Sequence, residues 1–276
     1  MKKITTRVTS WVILGLIAMG SSSCSFFEID NYDAPDVTIN GEVVDVATGR
    51  PVLTDQGSEG IRVRLTELSW GDNVEHNPDF YCMPNGKFRN TKIFKGNYHI
   101  NIEGPFIPIL RRSQDGTIVA DESIVMDLES SHDVRFEVQP FLQVEWVGEP
   151  TVQNGKITAQ VRVTRAVNSA DFKSKMEPIR QYNDDLLNMT DIQFFVSYSS
   201  SIGYRARDER WSSRLDYAGK SFDPLFGETI TLVSNGQIPT GRTVYIRAAA
   251  RINCDTPVGS GVRRWNYNEA KEVLVN

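Results

Sequence analysis

From residue 36 onward, apolar residues recur at every second position in runs of strand length, and turn residues separate the runs. That period does not suit an amphipathic helix, which repeats at 3.6, and it makes this an all-β chain. Ile61, Val63 and Leu65 alternate with Arg62, Arg64 and Thr66, as a strand with one wet face requires. Residues 37–45 read as the opening strand and residues 47–51 as its turn, where Gly49 can take a positive φ and Pro51 breaks pairing. Asn85-Gly86 is the strongest short turn signal of this half; Lys87 and Phe88 follow it, and then a strand over 96–102. Residues 125–128 and 134–138 close the half. Between them and the 96–102 strand, Pro105, Pro108 and the polar run 111–116 predict an irregular stretch with an exposed loop.

Gln139-Pro140 is the natural joint. Beyond it, Leu142, Val144 and Trp146 share one parity, and Gln153-Asn154-Gly155-Lys156 signals a hairpin whose return strand is 157–164. The charged stretch 168–190, which includes Pro178, reads as either a short helix or a long exposed loop. Residues 192–198, 243–251 and 271–275 supply further strands. Short strands at this spacing fit two β-sandwiches in series, over 36–139 and 140–276.

The N-terminus has a different composition. Lys2, Lys3 and Arg7 precede an apolar run at 11–19, which suits a signal peptide and falls short of the ~20 residues of a spanning helix. Gly20 and Ser21 to Ser23 then lead to Cys24 in a segment that resembles a lipobox, with Ser21 in place of the usual Leu. The resemblance implies removal of residues 1–23 and a diacylglycerol on the Cys24 thiol. The alternative is an ordinary signal peptide that leaves an incidental cysteine. Residues 24–35 form a tether carrying Glu28, Asp30 and Asp33. It resembles the acidic surface-export signal of Bacteroidetes lipoproteins, although a plain solvated tether has the same composition.

Three resemblances follow from the order of the motifs. Asn40-Gly41, Val43, Asp45, Thr48-Gly49 and Pro51, then Gly60-Ile61, Val63 and Leu65, Asn85-Gly86 with Phe88, and Gly96 with Tyr98 together resemble the carboxypeptidase-regulatory, transthyretin-like sandwich. That family implies seven strands, a core Tyr98 and no peptidase chemistry. Val244-Tyr245, Arg247 and Ala250 resemble the penultimate strand of an immunoglobulin or fibronectin type III sandwich, which implies an inward Tyr245 and small core alanines. Taken whole, residues 24–276 are similar to surface lipoproteins of unknown function encoded beside Sus-type glycan importers. The tether and the closing Arg264-Trp265-Asn266-Tyr267-Asn268 are the most specific parts. This last resemblance implies an outer-membrane location facing outside the cell, with polysaccharide and importer components as partners.

The formal charge of −5 becomes −8 once residues 1–23 and their three cations are removed. Such a chain is poorly suited to nucleic acid or anionic lipid, so membrane contact is expected only through the N-terminal lipid. Cys82 and Cys254 stand in no CxxC or His-spaced context; two buried, unpaired thiols are the favoured reading, with a long-range disulfide the alternative. His76, His99 and His132 fall in no metal spacing, and no cofactor is expected, with calcium on loop carboxylates left open. No GxSxG elbow, phosphate loop or dinucleotide fingerprint is present. Asp184-Asp185 and Asp208-Glu209 read as solvated loop charges rather than a glycosidase pair, so the chain is expected not to be an enzyme.

Sugar binding needs less. An exposed aromatic ring offers an apolar face to a pyranose while polar groups at its rim take the hydroxyls. Two loop segments have that composition: Trp70 running on to Tyr81, and Tyr204 through Arg207 to Trp211. Trp70, Tyr81, Tyr204, Arg207 and Trp211 are therefore the candidate glycan contacts. For Trp70 and Trp211 the competing reading is packing against a sandwich, and for Arg205, Arg207 and Arg210 it is mutual pairing with nearby carboxylates rather than a grip on acidic sugars. Trp146, Trp265 and Tyr267 read as packing residues. The expected function is non-catalytic glycan binding or retention beside an importer. The alternative is a docking lipoprotein that touches no sugar.

Overall fold

The structure, a computed structural model, describes residues 34–69 and 78–276. Cys24, Trp70, the signal segment and most of the tether lie outside the described residues. Asp36–Asn276 form one compact unit, built almost wholly of strands.

In chain order the first part runs β1 (Val37–Asp45), β2 (Arg62–Glu67), β3 (Asp79–Tyr81), β4 (Lys87–Ile93), β5 (Gly96–Glu103), β6 (Leu110–Arg112), β7 (Ile118–Asp121), β8 (Ile124–Leu128) and β9 (His132–Val138). One sheet is ordered β4-β1-β9, with β1 antiparallel to β4 and parallel to β9. The facing sheet is β3-β2-β5-β8, antiparallel throughout. Alternation does what it should. Ile39, Val43, Phe88 and Phe136 from one sheet meet Val63, Leu65, Ile100 and Ile102 from the other in one apolar core. Tyr98 lies in that core and donates its hydroxyl to the Phe94 carbonyl at 3.0 Å. The stretch expected to be irregular instead contains the β6–β7 hairpin, turned over Ser113 to Thr117; the Asp115 carboxylate accepts from the Thr117 amide, and Gly116 has φ +89°.

The second part runs β10 (Leu142–Trp146), β11 (Thr151–Gln153), β12 (Lys156–Arg165), α1 (Ser169–Met176), β13 (Met189–Ser197), β14 (Ser213–Asp216), β15 (Thr229–Val233), β16 (Arg242–Ile252), β17 (Asn266–Tyr267) and β18 (Lys271–Val275). The β11–β12 turn takes positive φ at both Asn154 and Gly155, which is what that dipeptide favours. One sheet joins β10, β12 and β11, with β15 also on β12; the other is β14-β13-β16-β17, with β18 also on β16. Their inner faces share a second core. The charged stretch after β12 forms α1, where Asn168 caps the helix by accepting from the Asp171 amide at 2.8 Å and Phe172 and Met176, one turn apart, are buried in that core.

β13 and β16 are buried on both faces, which is why the alanine run 248–250 lacks polar alternation. Val244, Ile246, Ala248 and Ala250 face the second core. The other face carries Tyr245, Arg247 and Ala249, so the inward Tyr245 implied by the immunoglobulin resemblance is corrected: its ring packs outside the sandwich. There Phe195, Ile202, Ala249, Trp265 and Tyr267 make a third apolar cluster, with Tyr204, Tyr245 and Leu53 of the first sandwich against it.

Candidate functional site

The third cluster marks where the two sandwiches meet, and the closing motif fastens them. Arg247 is 2% exposed. Its guanidinium donates to the Thr54 carbonyl at 2.8 Å, the Ile202 carbonyl at 3.1 Å and the Asn268 carbonyl at 2.7 Å, and reaches the Pro84 carbonyl at 3.3 Å. It also stacks 4.4 Å from the Tyr267 ring centre. Burial pulls this guanidinium down to about 10, so it is still charged at neutral pH. Arg264 donates to the carbonyls of Thr256, Ser58 and Gly60, and Asn266 donates to the Pro105 carbonyl at 3.0 Å while accepting from the Leu142 amide.

Around the same joint, the Tyr267 hydroxyl lies 3.5 Å from Asp55, which also accepts from the Arg205 amide at 3.1 Å. Burial, reinforced by Asp55, holds the Tyr267 phenol well above its ordinary range. Gly203 lies so close that a Cβ there would stand 2.5 Å from the Asp55 carboxyl carbon. The buried donors of Arg247, Arg264 and Asn266 are matched to backbone acceptors across the joint, an arrangement that fixes orientation as well as contact.

The expected glycan contacts are placed variously. Tyr81 ends β3, 37% exposed. Tyr204 and Arg207 come together, with the guanidinium 4.2 Å from the Tyr204 ring centre and donating to the Tyr204 carbonyl. Tyr204 also stacks on Trp265 at 6.2 Å, so its ring is largely engaged. Trp211 is corrected from platform to packing residue: it is 4% exposed and part of the second core, because the loop folds its indole back under Tyr198 and Arg210. Arg205, Arg207 and Arg210 pair with Glu59, Glu209 and Asp208. Among the described residues no group of three or more His, Cys, Asp or Glu side chains gathers as metal ligands do. Cys82 and Cys254 are unpaired and buried, with their thiols pushed up to about 12 by desolvation.

A groove not anticipated from the sequence opens beside the joint, with a volume of about 940 Å³. One wall is the turn after β1. Asp45 holds that turn by accepting from the Ala47 amide at 2.9 Å and the Thr48 hydroxyl at 3.0 Å, and it ties the turn to β10 by accepting from Gln143 at 3.1 Å. The other wall is β10, an edge strand of its sheet, with Asn268 and Glu269 beside it. Trp146 is partly exposed there; its indole nitrogen donates to the Glu269 carbonyl at 2.8 Å and its ring meets the core residue Phe194 at 81°. The packing role expected for Trp146 from its parity with Leu142 and Val144 holds in part, since this residue packs against the second core while staying partly exposed. Its position at the end of an edge strand was the available signal that one side stays open.

Comparison with known proteins bears on the whole of this arrangement. Residues 37–139 match a family described as "Protein of unknown function (DUF3823) N-terminal domain". A solved DUF3823 family protein from Bacteroides uniformis is 64% identical, with the match covering 88% of this chain and all of that one at a TM-score of 0.85. A candidate carbohydrate-binding protein of the same species is 18% identical, at 87% and full coverage with a TM-score of 0.63. A DUF3823 family protein from Parabacteroides merdae is 14% identical over 87% of this chain and all of that one, at 0.57. The latter two show shared fold alone. No curated protein matches.

Proposed function

Because this chain belongs to the DUF3823 family, we propose that it is a non-catalytic, lipid-anchored protein of the outer membrane that binds or retains glycan as an accessory to a Sus-type polysaccharide importer. The observation that carries this reading is the groove: a partly exposed indole and several polar side chains line an open cleft between two sandwiches locked to one another. Ligand clefts commonly sit at such junctions and combine an apolar face with a few fixed polar groups. A solved protein of the same fold described as a candidate carbohydrate binder adds support. The anchor rests on Cys24 after a signal-like segment, and the outward placement on the acidic tether.

The docking alternative draws support from the burial of Trp211 and the internal pairing of Arg205, Arg207 and Arg210, which leave the 204–211 loop without an open platform. Affinity electrophoresis of the folded protein through gels containing a panel of polysaccharides separates the two. Retardation by at least one glycan is the expected result, and free migration through all of them overturns the binding reading. Cys24→Ser should move the protein from the membrane fraction to the soluble one.

A further inference from the structure

We infer that the groove beside the joint takes an uncharged glycan chain, with one sugar face on Trp146 and hydroxyls on Glu145 and Asn268; this rests on the glycan-binding reading and narrows it to a site and a class of sugar. Three observations converge. Trp146 provides the groove with a partly exposed aromatic surface whose polar edge is already committed to the Glu269 carbonyl, so the ring is held in one orientation. Asn268, 4% exposed and lining the groove, uses its side-chain oxygen on the Ala248 amide at 2.8 Å. Its side-chain nitrogen is a buried donor without a partner among the described residues. Buried donors left so are uncommon and call for an acceptor supplied from outside the chain.

The third observation is charge. Among the described residues lining the groove, Asp45, Glu145 and Glu269 stand against Arg50, with the Lys271 ammonium 5.9 Å from the Trp146 ring centre, and the chain as a whole is acidic. Polyuronates and sulfated glycans would bring like charge into a cleft where the low-dielectric walls strengthen repulsion, whereas a neutral chain meets carboxylates as hydroxyl acceptors.

The test is titration calorimetry of the full chain at moderate salt with gluco-, manno-, xylo- and arabino-oligosaccharides and, separately, with oligogalacturonate. One neutral series should bind. Trp146→Ala should weaken it at least tenfold and Glu145→Ala about threefold; Glu145 is exposed, so that variant keeps the fold if Trp146→Ala does not. If no oligosaccharide binds the wild type, the glycan-binding reading itself falls. If a neutral sugar binds and both variants bind it as the wild type does, that reading stands and the groove assignment is overturned. Tighter binding of oligogalacturonate than of any neutral series overturns the class.

Discussion

The joint and the 204–211 loop are both rich in arginine, and they use it differently. Arg247 and Arg264 have their guanidinium groups buried among backbone carbonyls contributed by both sandwiches. Arg207, half-buried against Tyr204, and the exposed Arg210 pair with carboxylates two residues away, so those bonds hold only the local loop conformation. Arg205 stands between these cases: its side chain is 56% exposed, yet it crosses from one sandwich to the other to reach Glu59. What an arginine contributes here follows from how many acceptors would be orphaned without it, and not from how many charges surround it in the sequence.

The contrast is tested most severely at Arg247. Arg247→Met leaves the carbonyls of Thr54, Ile202 and Asn268 without their donor, and should cost about 3–5 kcal/mol in denaturant unfolding. If the joint couples the sandwiches, the single transition should also split into two. Cys82, two residues before Pro84, is buried, and should become open to thiol reagents at lower denaturant in this variant. Gly203→Ala comes next. The added methyl drives against Asp55, and a loss of about 2 kcal/mol in denaturant unfolding is expected.

Smaller effects sharpen the other side. Arg205→Ala should cost less than ~1 kcal/mol, in keeping with an exposed pair, and the loss should shrink in high salt. Asp255 offers a pH test. Burial pushes its carboxyl up, but the Gly261 amide and the Arg180 guanidinium outweigh that and hold it below the ordinary 3.8. Its contribution is therefore present above pH ~4 and lost as pH falls through the folded-state value, so the stability gap between wild type and Arg180→Ala should close on acidification. Arg210→Ala should shift the unfolding midpoint least of all, because the pair is exposed on the arginine side and Asp208 still accepts from the backbone amide of residue 210. A large effect there would erase the distinction between joint and loop.

The strands were legible in the sequence because alternation is a local signal, and each of β1, β2, β5, β9, β10, β12 and β18 follows from residues within a few positions of one another. The β6–β7 hairpin was not, since Pro105 and Pro108 before it and a charged turn within it mask two very short strands. The site was harder for a different reason. The groove is built from the turn after β1, from β10 and from residues 266–269, segments separated by about a hundred residues each, and no local pattern encodes their meeting. The closing motif stood out by composition, yet Arg264 and Asn266 declare their role only when the carbonyls of Ser58, Gly60 and Pro105 are placed opposite them. Trp211 shows the converse error: a polar neighbourhood in sequence surrounds a residue whose ring turns inward.

The opening strand has a mechanical consequence. β1 is the middle strand of its sheet, bonded along its length to β4 on one side and to β9 on the other. Were tension applied upstream of Val37 in line with β1, the ladder hydrogen bonds on both flanks would share the load in shear instead of parting one at a time. If the proposed anchor and glycan are both engaged, that seam is the one a pull between them would meet first.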